Sequence, residues 1–190
     1  MTIAHVPTEV DRCLERLAGL HPRLCPRQVL GVRIGQRAGE LLGLALPRTD
    51  KLMLAIVEID GCFADVVSVA TGCWFGRRTL RFVDYGKVAA TFIDLETHRA
   101  VRIWPDPHAR VVAERYVPDA PDSWHAQLEG YRVMPANEVL QSRSVTINMP
   151  LPDFLNADSE RVTCSACGEE IMNGRQVVRN GFVLCRACTE

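Results

Sequence analysis

Apolar positions recur along the first 45 residues with a helical period. Val10, Cys13, Leu14 and Leu17 fall at i, i+3, i+4 and i+7 behind Thr8, a helix-capping residue, and Gly19 closes the stripe. Cys13 on this stripe reads as a small core residue. A second helix is predicted from Pro26, a favoured first-turn residue, to about Leu44. It carries Gly31, Gly35, Gly39 and Gly43 at four-residue spacing. Each glycine costs a helix about 1 kcal/mol relative to alanine, so a ridge of them implies close packing against another element. A bare surface facing a ligand is the alternative reading.

After Pro47-Arg48-Thr49-Asp50 the pattern changes. Residues 51–59, KLMLAIVEI, form a continuous apolar run that predicts a buried strand, broken by Asp60-Gly61. Residues 62–70 suit either helix or strand. Strands are predicted over 79–83, 87–95 and 99–104, with turns at Asp84-Tyr85-Gly86 and Glu96-Thr97-His98. Short helices are expected from Pro107 to about Arg115 and from Pro135 to about Gln141, and a last strand over 144–149. Residues 150–163, which begin with the proline-bearing PLPDFLN, read as a linker. The fold class is therefore α+β: a mixed helix/sheet core over 1–149, then a small C-terminal four-cysteine zinc finger over 164–190.

Composition narrows the function classes. Of 190 residues, 47% are apolar, enough for one core domain and an appendage. Lys and Arg number 22 against 23 Asp and Glu, so no global field steers the chain to nucleic acid or to an anionic membrane. No run approaches the roughly 20 apolar residues of a membrane span, and the N-terminal residues lack the pattern of a signal peptide. A cytoplasmic protein is expected, in which eight cysteines point to thiols and metal rather than disulfides.

Four of those cysteines form two CxxC pairs, Cys164/Cys167 and Cys185/Cys188, separated by 17 residues. Each pair sets two sulfurs on one side of a tight turn, and two such turns complete a tetrahedron around one Zn2+. Asn180-Gly181, a strong hairpin signal, would return the chain so that Cys185 approaches Cys167. So short a segment cannot bury enough apolar surface to fold alone, whereas structural zinc contributes on the order of 10–16 kcal/mol. Four thiolates close the coordination sphere, so this ion is structural rather than catalytic.

A second constellation lies in the core. His21 and Cys25 flank the start of the glycine-ridged helix, while Cys62, Asp65, Thr71 and Cys73 belong to the segment after the buried strand. Convergence of these ends would put one imidazole, three thiols and a carboxylate in one cleft, a donor set suited to a second metal ion. Isolated cysteines and a histidine are also ordinary core or surface residues. His5, His98, His108 and His125 have no ligand-like neighbours, and Trp74, Trp104 and Trp124 read as packing or interface anchors.

Glu58…Cys62-x-x-Asp65, Thr71-Gly72-Cys73, Gly76 and Asp84-Tyr85-Gly86-Lys87-Val88-Ala89-Ala90-Thr91-Phe92 resemble the signature of the FmdE family of formylmethanofuran dehydrogenase proteins. His21-x-x-x-Cys25-Pro26 with Gly31-x-Arg33-x-Gly35 resembles its N-terminal motif, and the paired CxxC resembles the treble-clef zinc finger that many members carry. The resemblance implies a homodimer and a metal-holding cleft lined by the motif cysteines and histidine. It also implies a finger that packs on the partner protomer, and association with a molybdenum- or tungsten-dependent redox enzyme. Where the family's motif has a second histidine and a glycine, this chain has Arg23 and Arg27, and Arg77-Arg78 replaces small residues. The lost imidazole weakens the expected metal site, and Arg23, Arg77 and Arg78 suggest an anionic ligand instead.

Three functions follow. The first is a metal- or cofactor-binding accessory protein for a redox enzyme. The second is an enzyme with Cys62 or Cys73 as nucleophile and His21 as base. The third is a docking module in which the finger contacts a protein; nucleic acid is disfavoured, because Arg161, Arg175, Arg179 and Arg186 are offset by Asp158, Glu160, Glu169, Glu170 and Glu190.

Overall fold

Thr8 opens the first helix, α1 (Glu9–Leu17), through reciprocal bonds: its hydroxyl accepts from Asp11 N at 3.2 Å and its own N–H donates to Asp11 Oδ2 at 2.8 Å. Val10, Cys13, Leu14 and Leu17 turn inward, as the periodicity predicts. The computed structural model describes residues 8–147 and 160–189, and the chain divides into two units, 1–148 and 149–190.

In the first unit, α2 (Pro26–Leu42) starts on proline and ends at Gly43, whose φ of 74° suits a left-handed cap. β1 (Met53–Val57) follows, then α3 (Cys62–Thr71), which settles the ambiguous segment as helix. β2 (Leu80–Phe82), β3 (Ala90–Asp94) and β4 (Ala100–Pro105) come next. Three helices, α4 (Ala109–Tyr116), α5 (Ser123–Val133) and α6 (Ala136–Val139), precede β5 (Leu140–Ser144). The five strands form one sheet in the order β2-β1-β3-β4-β5. Only β1 and β2, joined through α3, are parallel. All five residues of β3 are buried, the polar Thr91 and Asp94 included.

Gly31 and Gly35 of the glycine ridge form a packing surface, whereas Gly43 caps the helix with open space around it. A Cβ on Gly31 would overlap Val66 Cγ1 of α3, and one on Gly35 would come within 2.8 Å of Ala70 Cβ. Gly31→Val is expected to cost about 1–3 kcal/mol or more through overpacking, whereas Gly19→Ala, with open space around it, should be near neutral. Urea unfolding of the two variants checks this; equal stabilities would contradict close packing of α2 on α3.

Two expectations need correction. The last strand of the core is residues 140–144 rather than 144–149, because α6 ends at Val139 and β5 pairs Leu140 through Ser144 with β4. Residues 145–147 are irregular, and the remainder of the expected strand lies outside the described residues. α5 was not anticipated; Asp122 caps it by accepting from His125 N at 2.8 Å, and Gly130 lets it approach Ala113 of α4.

In the second unit, β6 (Arg161–Thr163) pairs with β7 (Glu170–Met172), and β8 (Val177–Arg179) pairs with β9 (Phe182–Leu184). A single 3-10 turn, Arg186–Cys188, follows. Residues 161–163, expected to belong to the linker, are thus a strand of the finger; 150–159 lie outside the described residues. Asn180 and Gly181 both take positive φ, 52° and 80°, as the tight hairpin requires. No helix among the described residues is long and apolar enough to cross a membrane.

Candidate metal centres

The finger is built around two knuckles. Between β6 and β7, Gly168 adopts φ 75° and its N–H donates to Cys164 O at 3.0 Å, curling the backbone around the first sulfur pair. Ser165 N donates to Val183 O at 2.8 Å, and Cys185 N donates to Cys164 Sγ at 3.3 Å, which joins the two hairpins. The ligand atoms of Cys164, Cys167, Cys185 and Cys188 all lie within 4.8 Å of one another. Among the described residues no other group of three or more His, Cys, Asp and Glu donors converges in this way.

The thiols of the finger are not equivalent. Amide donors from Cys167 and Cys185 favour the Cys164 thiolate and pull its pKa down to about 6. Neighbouring thiols, first Cys185 and then Cys167, push Cys188 up to about 12. Crowded sulfurs therefore hold protons that a dication displaces. This donor set is that of a zinc site.

In the core, α2 and α3 present their N-terminal ends together. Asp60-Gly61 turns the chain from β1 into α3, with Gly61 at φ 71°, and so sets Cys62 at the first position of that helix. Cys25, the cap of α2, brings its sulfur within 3.2 Å of the Cys62 sulfur. Asp65, one turn on from Cys62, holds His21 Nε2 at 2.9 Å through Oδ2. Two donor pairs are thus assembled, thiol with thiol and imidazole with carboxylate. Burial is the main reason that the Cys62 thiol is pushed up to about 11; the Cys25 thiol raises it further, and Arg27 opposes both.

Two candidate residues are elsewhere. Thr71 and Cys73 lie at the other end of α3, and ten residues at 1.5 Å rise place them about 15 Å from Cys62. Thr71 Oγ1 donates to Val67 O at 2.7 Å and accepts from Cys73 N at 3.2 Å, a helix-ending role. Cys73 is 2% exposed, and its sulfur contacts Met53 O at 3.5 Å. Arg77 and Arg78 follow the same end of α3, so they do not flank Cys25 and Cys62 either.

Glu58, a motif residue with no role expected of it, organises the neighbourhood. Buried at the end of β1, it accepts two bonds of 2.6 Å from Arg102 of β4. Its carbonyl also accepts from Tyr85 N and Lys87 N, which fixes the loop before β3. The signal in the sequence was an acidic residue in an otherwise apolar strand.

Comparison with known proteins decides the family. The family described as "FmdE, Molybdenum formylmethanofuran dehydrogenase operon" matches residues 20–142, well over half the chain. The chain belongs to the FmdE family. A second match, to the prokaryotic dksA/traR C4-type zinc finger, covers residues 159–190 of this FmdE protein. Its fold is similar to the crystal structure of a tungsten formylmethanofuran dehydrogenase FmdE-like protein from Syntrophus aciditrophicus. The TM-score is 0.63 at 21% identity, over 100% of this chain and 97% of that one. A probable S-adenosyl-L-methionine-binding protein of Archaeoglobus fulgidus is 36% identical over 104 residues. That match takes in 53% of this chain but only 28% of the length of the Archaeoglobus protein.

Proposed function

We propose that this FmdE protein is a metal-binding accessory protein of the formylmethanofuran dehydrogenase type, with a structural zinc in the finger and a second ion in the core. The observation that carries the reading is the 3.2 Å approach of the Cys25 and Cys62 sulfurs at the joined ends of α2 and α3. Two sulfurs on one tetrahedral zinc sit about 3.8 Å apart, so little movement would open this pair to a soft or borderline cation. Asp65 engages His21 Nε2 and leaves Nδ1 as the free ring nitrogen, the arrangement in which a carboxylate orients a metal-binding imidazole. An ion bound by three such donors would offer a position open to ligand exchange. Family membership supports service to a molybdenum- or tungsten-dependent redox enzyme.

The reading includes a homodimer. β2 is an edge strand, and Phe82 and Tyr85 beside it are exposed, which supports a contact there. In the finger, the order of knuckle, hairpin and helical turn supports a treble clef.

A cysteine-dependent enzyme is less well supported. Cys73 is inaccessible, and a Cys62 thiol raised to about 11 is protonated at neutral pH and a poor nucleophile. Elemental analysis of metal-replete protein tests the choice. Two ions per chain are expected, falling to one in Cys62→Ser with the finger zinc retained. One ion in both proteins, with selective alkylation of Cys62 at pH 7, would favour the enzyme.

A further inference from the structure

A cavity of about 460 Å3 opens where the start of α2, residues 86–89, β4, α4 and α5 meet. Ligand sites for small molecules fall in this size range. Its floor is apolar, with Leu30, Val88 and the buried Tyr131. Trp104 forms part of the wall, and Arg102 lies over its ring at 5.0 Å.

The rim is cationic, and its charges come from three separate elements. Arg27 stands in the first turn of α2, Lys87 in the loop that Glu58 fixes, and Arg110 in α4. None of the three has a carboxylate partner among the described residues. Arg110 instead acts electrostatically on the Tyr131 hydroxyl, which donates to Gln127 Oε1 at 3.5 Å, and Lys87 lies 6.0 Å above the Tyr85 ring. The fourth cation, Arg102, is neutralised by Glu58. Asp106, the only carboxylate in the lining, has both oxygens occupied: Oδ1 accepts from His108 N at 2.8 Å and Oδ2 from Gln141 Nε2 at 2.7 Å. The 17-residue α2 adds the positive end of its dipole on the same side. An apolar floor with an aromatic wall and three uncommitted cations matches a ligand with a flat apolar body and an anionic end.

We propose that this cavity binds a nucleoside phosphate, with the base against Trp104 and the phosphate among Arg27, Lys87 and Arg110. Stacking on an aromatic side chain accepts any base, while guanidinium and ammonium groups from three directions suit the several oxygens of a phosphate. The assignment does not rest on a metal between Cys25 and Cys62, although Arg27 adjoins both sites.

Calorimetric titration of the zinc-loaded 190-residue protein with AMP, adenosine and inorganic phosphate tests the proposal. AMP is expected to bind at one site per chain, with adenosine and phosphate each at least about tenfold weaker, since each keeps only half of the contacts. Arg27→Gln and Lys87→Gln, both exposed positions that should fold normally, should each weaken AMP about tenfold. Trp104→Leu should weaken AMP while leaving the weak phosphate response unchanged. Cys62→Ser should bind AMP as the parent does, so loss of the core metal would not be mistaken for loss of this site. Absence of AMP binding at millimolar concentration, equal affinity for adenosine and AMP, or unchanged AMP affinity in both cation variants would overturn it.

Discussion

Cys167→Ser is expected to release the zinc and unfold the C-terminal unit while the first unit remains folded. The reason is that the finger lacks a core of its own. Among its described residues only Cys164 and Ile171 are buried apolar side chains, and Val178 and Phe182 are exposed. Two three-residue hairpins cannot offset the entropy of ordering about 30 residues without the ion, whose contribution is on the order of 10–16 kcal/mol. Amide cross-peaks from 161–189 should collapse toward random-coil positions, while those from the α2–α3 pair and the sheet stay in place. Acid should act in the same direction. Zinc needs all four thiolates, so each ligand binds protons more readily once the ion is gone, and affinity falls as pH falls. Cys164, already lowered to about 6, should take up a proton after Cys167 and Cys188, whose thiols are raised. Zinc release followed with a chromophoric chelator should therefore increase steeply below about pH 6. Retention of the folded spectrum in metal-free protein at neutral pH would contradict this account of the tail.

The second large effect is expected at Glu58. Glu58→Ala removes a carboxylate that is 5% exposed and leaves the Arg102 guanidinium without its bidentate partner. Breaking a buried pair from one side costs about 3–5 kcal/mol, and the partial exposure of Arg102 places this case toward the lower end. The loop carrying Lys87 should keep its bonds to the Glu58 carbonyl, because these involve backbone only. Replacing both partners, Glu58→Met with Arg102→Met, should recover most of the loss, since no unpaired charge remains. Equilibrium urea unfolding of the single and double variants measures the difference. A single variant as stable as the parent would show that the pair does not hold β1 to β4.

What could be seen in the chain depended on how local the signal was. The finger was legible because two CxxC turns and an Asn-Gly turn each specify geometry over a few residues. The glycines of α2 were legible as a packing surface for the same reason, their spacing being that of one helical ridge. β5 was misplaced because an exposed edge strand needs no apolar alternation, and Leu140–Ser144 is polar after its first residue. α5 went unseen because its core face is thin and Gly130 interrupts it; the cap at Asp122 was its best local sign.

The core site was half legible. The motif residues identified Cys25, Cys62, His21 and Asp65, which the fold brings together in two pairs. Thr71 and Cys73 could be excluded only once residues 62–71 were known to be helical, because a strand or turn there would have allowed other placements. Of the arginines that suggested an anionic ligand, Arg77 and Arg78 lie beyond the far end of α3 from Cys62. The cations that share a cavity are Arg27, Lys87 and Arg110, and their proximity arises from tertiary packing that no spacing encodes.

Anomalous diffraction from crystals of metal-replete protein, collected on both sides of the zinc edge and of the edges of other first-row metals, addresses the central claim directly. The account predicts two peaks per chain, one among the four tail cysteines and one bridging the sulfurs of Cys25 and Cys62 with His21 beside it. A single peak in the tail, with the Cys25 and Cys62 thiols unmetallated at full metal loading, would contradict it.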